Sequence, residues 1–374
     1  MTEYTWADLE AAVGQVFPGE DRIGADPVEW SGIRRFCEPI ELGCPIHYDE
    51  AVARANGYRG VVLPVSAISS TYPRPPLWRP GSPTKWDTKQ AHAVLEDTTS
   101  RASERPTPRG ILSFVTDIEI EYFEPVCVGD RLTAKGGSRL LSVKVRETSV
   151  GFGAFSTSES YIYNQRNELV AVQRNGGYSY IPHSPERLAE IRAQQAGAAG
   201  PPQTSADPPP SGLNFEELAR MKQPRADWSN QLYWDDVREG DLVPPVAMNI
   251  TLQRLVIEAG ANRDFSAVHF DRVLAQQSGA EEVYANNVFI QGMWERCVRE
   301  YIGVAGRIKK VGPFRIRNFN EIGMTAVTMG KAVRKFQEDR KNLLEMEVWT
   351  ENDRNGRTVS VGPGPVVVEL PLRR

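Results

Sequence analysis

Histidine and cysteine are both scarce in this chain, with four of each in 374 residues. Cys37, Cys44, Cys127 and Cys297 stand far apart with no C-x-x-C spacing, so neither a zinc site nor a disulfide framework is indicated. Any imidazole chemistry must use His47, His92, His183 or His269. No apolar run approaches the roughly 20 residues of a membrane span. A basic excess is also missing: 44 Lys and Arg against 48 Asp and Glu leave a net charge of −4 and a pI near 5.8. That balance argues against a broad nucleic-acid surface. No glycine-rich loop carries the residues of a phosphate cradle. The opening MTEYTWADLEAAVGQVF is amphipathic and acidic, without the segments of a signal peptide, so a reduced, cytoplasmic protein is expected.

What is present concentrates in residues 259–303. Asp264 and His269 stand five positions apart in a short non-helical segment. A helical pattern follows His269. A polar approach through Asn286 and Asn287 then leads to Gly292, which is expected to open a second helix. A carboxylate, an imidazole and a helix N-terminus in one unit are the parts needed to move protons beside a carbonyl.

The unit occurs twice. From His269 the chain reads His-Phe-Asp, with Ala275 six positions on and Gly279 ten on; from His47 it reads His-Tyr-Asp, with Ala53 and Gly57 at the same spacings. The offset is 222 positions (269 − 47). It predicts two halves of similar design. In the first half Thr5 caps a short helix, Trp30 to Leu42 reads as helix or irregular, and Val65 to Tyr72 as a short buried helix halted by Pro73. Residues 73–109 form a long Pro- and Arg-rich connection, expected to roof a site with Trp78 and Trp86. Alternation then predicts strands through Ile118–Tyr122 and Leu141–Val145, and a hairpin turning near Asn164–Asn167. Residues 184–196 read as a helix and the segment after them as a Pro/Gly-rich linker. In the second half Thr251 to Gly260 is a helix, Met293 to Ile302 carries an apolar stripe at helical spacing, and strands close the chain around Asn355-Gly356. Each half thus holds a helix and then long antiparallel strands, which fits an α+β fold of sheets wrapped around a buried helix.

Asp264-Phe-Ser-Ala-Val-His269 resembles the D-x-N-P-[IV]-H signature of the MaoC-like (R)-specific enoyl-CoA hydratases, and Cys44-Pro-Ile-His47 resembles its second part. The segment from Phe123, FEPVCVGDRL, is similar to the start of the long strand in these hot-dog folds. The resemblance runs from about Glu29 to Leu370 outside the linker. It implies two hot-dog domains in one chain as a pseudo-dimer: residues 1–183, a helix and linker over 184–213, and residues 214–374. It implies a hydratase/dehydratase of a 2-enoyl thioester, with Asp264 and His269 as acid and base and the Gly292 N–H as oxyanion donor. No cofactor or metal is implied, coenzyme A entering only as part of the substrate.

Leu42 stands where the first copy would need its Asp, so that copy is read as silent, with His47 a structural relic. Three departures are visible in the second copy. Arg263 replaces a usual Gly, Ser266-Ala267 the usual Asn-Pro, and Gln291 a usual His. Substrate contacts are assigned to Asn287 and to the basic residues Arg307, Lys309, Lys310 and Arg315, with Arg101, Arg105 and Arg109 as rivals. An acyl-CoA thioesterase and a non-catalytic acyl-thioester-binding subunit are the alternatives on this fold. Pairing of two such chains is left open, since the internal pseudo-dimer removes the need for it.

Overall fold

Over residues 30–55 and 252–277 the offset of 222 is carried into the backbone residue for residue. The structure, a computed structural model, describes residues 4–69, 71–84, 105–108, 112–148, 151–184, 186–187, 190, 208, 211–221, 226–277 and 280–373. After α1 (Trp6–Ala11), capped by Thr5 and Asp8 in a reciprocal pair, the first half builds α2 (Trp30–Ile40), a 3-10 turn (Pro45–His47) and α3 (Glu50–Ala55). After α4 (Phe215–Arg220), the second half builds α5 (Leu252–Asn262), a 3-10 turn (Ala267–His269) and α6 (Arg272–Gln277). Helix α2 buries Ile33, Phe36, Cys37 and Ile40, an i, i+3, i+4, i+7 stripe. The same stripe of α5 is Leu255, Glu258, Ala259 and Asn262. Two of the four core positions have become polar.

Twelve strands form one antiparallel sheet. In the first half these are β1 (Val16–Phe17), β2 (Arg22–Ile23), β3 (Leu112–Tyr122), β4 (Leu132–Ala134), β5 (Ser138–Glu147), β6 (Gly151–Asn164) and β7 (Leu169–Pro182). In the second they are β8 (Leu242–Asn249), β9 (Arg307–Arg315), β10 (Thr325–Glu338), β11 (Lys341–Asn352) and β12 (Thr358–Glu369). The main path runs β1-β5-β6-β7-β3-β9-β12-β11-β10-β8, with β2 and β4 beside it. Each half contributes five strands to that path, in mirrored order. The seam is β3 against β9, with Ile118 opposite Phe314 and Ile120 opposite Val311. One apolar core, from Ile33 and Phe36 to Phe289, Trp294 and Val368, spans both halves.

The symmetry fails at the central helix. In the second half α7 (Asn287–Ile302) is buried along nearly its whole length. Its first-half counterpart is a single 3-10 turn, Val65–Ala67, where the sequence had predicted a helix to Tyr72. The Glu295 carboxylate of α7 accepts from the N–H groups of Val65 (2.9 Å) and Ser66 (2.8 Å) and from the Ser66 hydroxyl (2.5 Å). The long helix therefore caps the short one. The helix expected over 184–196 lies mostly outside the described residues, as do its linker, Trp86, Arg101 and Arg109. Among the described residues no helix is long and apolar enough to cross a membrane.

Candidate active site

Asp264 and His269 come together as the sequence predicts. The Oδ2 of Asp264 lies 3.9 Å from Nε2 of His269, and both side chains are mostly covered. The opposite ring nitrogen, Nδ1, lies 2.9 Å from the Tyr284 carbonyl oxygen. A carbonyl only accepts, so Nδ1 carries the proton and Nε2 presents a lone pair toward Asp264. The Tyr284 ring meets the imidazole edge-on at 5.2 Å and limits its rotation. Burial pulls the His269 pKa below its usual range, against the opposing pull of Asp264, so the imidazole is neutral at pH 7.

The loop keeps its shape without Asn-Pro. Ser266 has φ −62° and ψ 124°; Cys44, its counterpart before Pro45, has φ −62° and ψ 125°. The Ser266 N–H donates to Asp264 Oδ1 (3.3 Å), which leaves Oδ2 for the imidazole. Arg263 occupies a left-handed C-cap at φ 61°, the position where glycine is usual; Glu41, its counterpart, does the same at φ 54°.

A buried polar group that the sequence reading missed lies behind the loop. Glu258 Oε2 accepts from the amides of Asn262 and Asn286, and the Asn262 amide also donates to Asn286 Oδ1 (3.1 Å). Asn262 Oδ1 accepts from the Asp264 N–H (2.8 Å), while Asn286 Oδ1 caps α7 through the Phe289 N–H (2.8 Å). The loop and the helix N-terminus thus share one support. Comparison at the 222 offset would have found it, because Phe36, Ile40, Leu42 and Pro64 stand where the second half has Glu258, Asn262, Asp264 and Asn286.

Gly292 does not open the helix. It is the sixth residue of α7, where its N–H belongs to the intrahelical ladder. A Cβ there would meet Ile40 of α2 at 3.0 Å, so the glycine lets the two helices approach. The donors that helix geometry leaves without an intrahelical partner and that the Asn286 cap does not take are the N–H groups of Asn287 and Val288. The Asn287 Oδ1 is buried and has no partner.

In the first half the imidazole anchor survives and the carboxylate does not. His47 Nδ1 lies 2.8 Å from the Val62 carbonyl, the counterpart of Tyr284, while Leu42 is fully buried. Burial and the Arg299 charge push the His47 pKa down to about 3. A cavity lies beside His47, lined also by Tyr58, Arg299, Arg307 and Lys309. The basic cluster is thereby divided. Arg307 and Lys309 face this cavity, Arg307 lying over the Tyr58 ring at 5.1 Å. Lys310 pairs with Glu119 (3.0 Å), and Arg315 is exposed at the β3–β9 seam. Arg105 donates to Ser138 (2.9 Å) and is engaged there. None of Arg307, Lys309, Lys310 and Arg315 has a contact that places it with Asp264 among the described residues.

Residues 11–93 and 110–173 match the model of the FAS1-like dehydratase domain region. Over 167 residues the chain is 31% identical to a probable enoyl-CoA hydratase alpha subunit of Thermomonospora curvata. That match takes in 44% of this chain and 49% of the relative, so the chain spans about half the length of the curated protein it matches. Among solved structures, a MaoC-like dehydratase overlays with a TM-score of 0.64 at 18% identity, covering 98% of this chain and 100% of that one. A conserved hypothetical protein of Mycobacterium tuberculosis with a double hotdog fold overlays at 0.54 and 11% identity, covering 98% of each chain. These likenesses show the fold: two hot-dog domains in one chain.

Proposed function

We propose that the chain is a MaoC-like hot-dog hydratase that adds water to a 2-enoyl thioester, or removes it, with Asp264 and His269 as the acid/base pair; the dehydratase-region match, the similarity to an enoyl-CoA hydratase subunit and the shared fold support this reading. The observation that carries this reading is the 3.9 Å gap between Asp264 Oδ2 and His269 Nε2. It is too long for a direct hydrogen bond. A water oxygen about 2.8 Å from each atom would fit there at an angle of roughly 90°. Such a water would donate one hydrogen to the imidazole lone pair and the other to the carboxylate.

In the hydration direction the water oxygen bonds to C3 as one member of the pair takes its proton. The electron pair of the C2=C3 double bond shifts toward the thioester, and the proton just taken from the water is passed from the pair to C2, which restores the carboxylate and the neutral imidazole. One OH and one H are thereby added, both from the side of the double bond that faces the pair. Charge gathers on the thioester oxygen in the transition state, and the N–H groups of Asn287 and Val288, which helix geometry leaves without an intrahelical partner at the positive end of α7, are our assignment for its donors. His269 must be neutral to accept a proton. Its lowered pKa therefore puts the acid limb of kcat/KM below the ordinary histidine value of 6.5.

The test is a panel of 2-enoyl-CoAs of varied bulk, with the same acyl groups on a carrier protein, followed by loss of the conjugated-thioester absorbance. Asp264→Asn and His269→Ala should each lower turnover by roughly 10²- to 10⁴-fold with the fold retained. Wild-type rates in both variants would remove the assignment. Release of free coenzyme A with the double bond intact would make the protein a thioesterase instead.

A further inference from the structure

We propose that Glu258 is a positioning residue of this site: through Asn262 and Asn286 its carboxyl holds the Asp264 backbone and the N-terminus of α7 in one buried unit. The two halves serve as an internal control. The first half builds the same helix, left-handed cap and 3-10 turn with Phe36, Ile40, Leu42 and Pro64, so the fold does not require the polar set. The second half keeps Glu258, Asn262 and Asn286 almost wholly buried, at the desolvation cost such groups carry. Their hydrogen bonds run to two places, the Asp264 N–H and the α7 cap.

Glu258 Oε2 takes both amides, and Oε1 is buried without a partner. The charged and titratable groups on the surrounding elements are few. Asp264 and His269 lie on the following loop. Arg254, one turn earlier on α5, is held by the Pro39 carbonyl and Glu41 of the first half, and Arg296 of α7 by Glu41 and Glu300. No cation pairs with Glu258 among the described residues. Burial, helped by the Asp264 charge, pushes its carboxyl up to about 8. At neutral pH it is a protonated acid and places no charge beneath the loop. Raising the pH through 8 ionises it and sets a second negative charge near Asp264.

The proposal rests on the hydratase reading only for its effect on turnover, and the test separates the two. Glu258→Gln keeps the acceptor and cannot ionise; Glu258→Leu removes the hydrogen bonds. In wild type kcat should fall above pH 8. The Gln variant should lose that alkaline limb and stay within about 3-fold of wild type at pH 7. The Leu variant should lose on the order of 10- to 100-fold in kcat, with KM moving far less and thermal unfolding still cooperative. A wild-type alkaline limb in the Gln variant, or wild-type kcat in the Leu variant, overturns the role. Independently of activity, the His269 ring signals, one of only four histidine sets, should show an inflection near pH 8 in an NMR titration that is absent in Glu258→Gln. That inflection in a protein inactive on every enoyl thioester would sink the function and leave Glu258 in place. Activity with no such inflection would sink Glu258 alone.

Discussion

Arg263 holds φ 61°, a left-handed conformation that costs a residue with a Cβ about 1 kcal/mol and a glycine almost nothing. Arg263→Gly should therefore raise the urea midpoint, by up to about 1 kcal/mol in stability. Glu41→Gly, at the same place in the first half, should not, because the Glu41 carboxylate receives Arg254 (3.3 Å) and Arg296 (2.9 Å). Equal gains from both substitutions would refute the distinction. The pairing of Asp264 with His269 was legible from five-residue spacing in a loop, since local geometry dictates it. Glu258 was not. In LQRLVIEAGAN a single glutamate reads as one more solvated position, and only the buried stripe of α5 turns it inward. The split of the basic cluster was half legible: alternation along β9 puts Arg307 and Lys309 on one face and Lys310 on the other, but strand neighbours decide which face meets a cavity.

Helix α7 does in this chain what two helices would do in a symmetric pair. Glu295 reaches across to three donors of the first half, and Arg296 donates to the Ile40 carbonyl (3.2 Å). Glu295→Leu would leave the Val65 and Ser66 donors buried without an acceptor. The expected loss is about 3 kcal/mol, read as a lower urea midpoint, with Glu295→Gln recovering part of it because its amide oxygen still accepts. A neutral Leu variant would show that the link carries no stability. The apolar stripe of α7 was legible from Met293 to Ile302, but its start was not. Gly292 looks like a helix opener in sequence, yet what it accommodates is Ile40, a partner 252 positions away that periodicity cannot reveal.

At the scale of the molecule the two halves share a sheet and a core. Urea should unfold them in one transition, with tryptophan fluorescence and far-UV circular dichroism coinciding. Two separated transitions would show instead that the β3–β9 seam is weaker than either half. The duplication itself was readable from four matching positions, each histidine and three residues after it. The asymmetry was not, because losing a central helix leaves Ser66 and Ala67 still buried, as they would be in a helix.

The continuous β3–β9 seam has one more consequence. When two identical chains make such a sheet, every substitution is made twice and both sites change together. With both copies written into one polypeptide, each position has its own codon. Leu42 can then arise in one copy while Asp264 is kept in the other, and the spared half is free to drift toward bracing its neighbour. Duplication followed by fusion thus turns an obligatory symmetry into a division of labour.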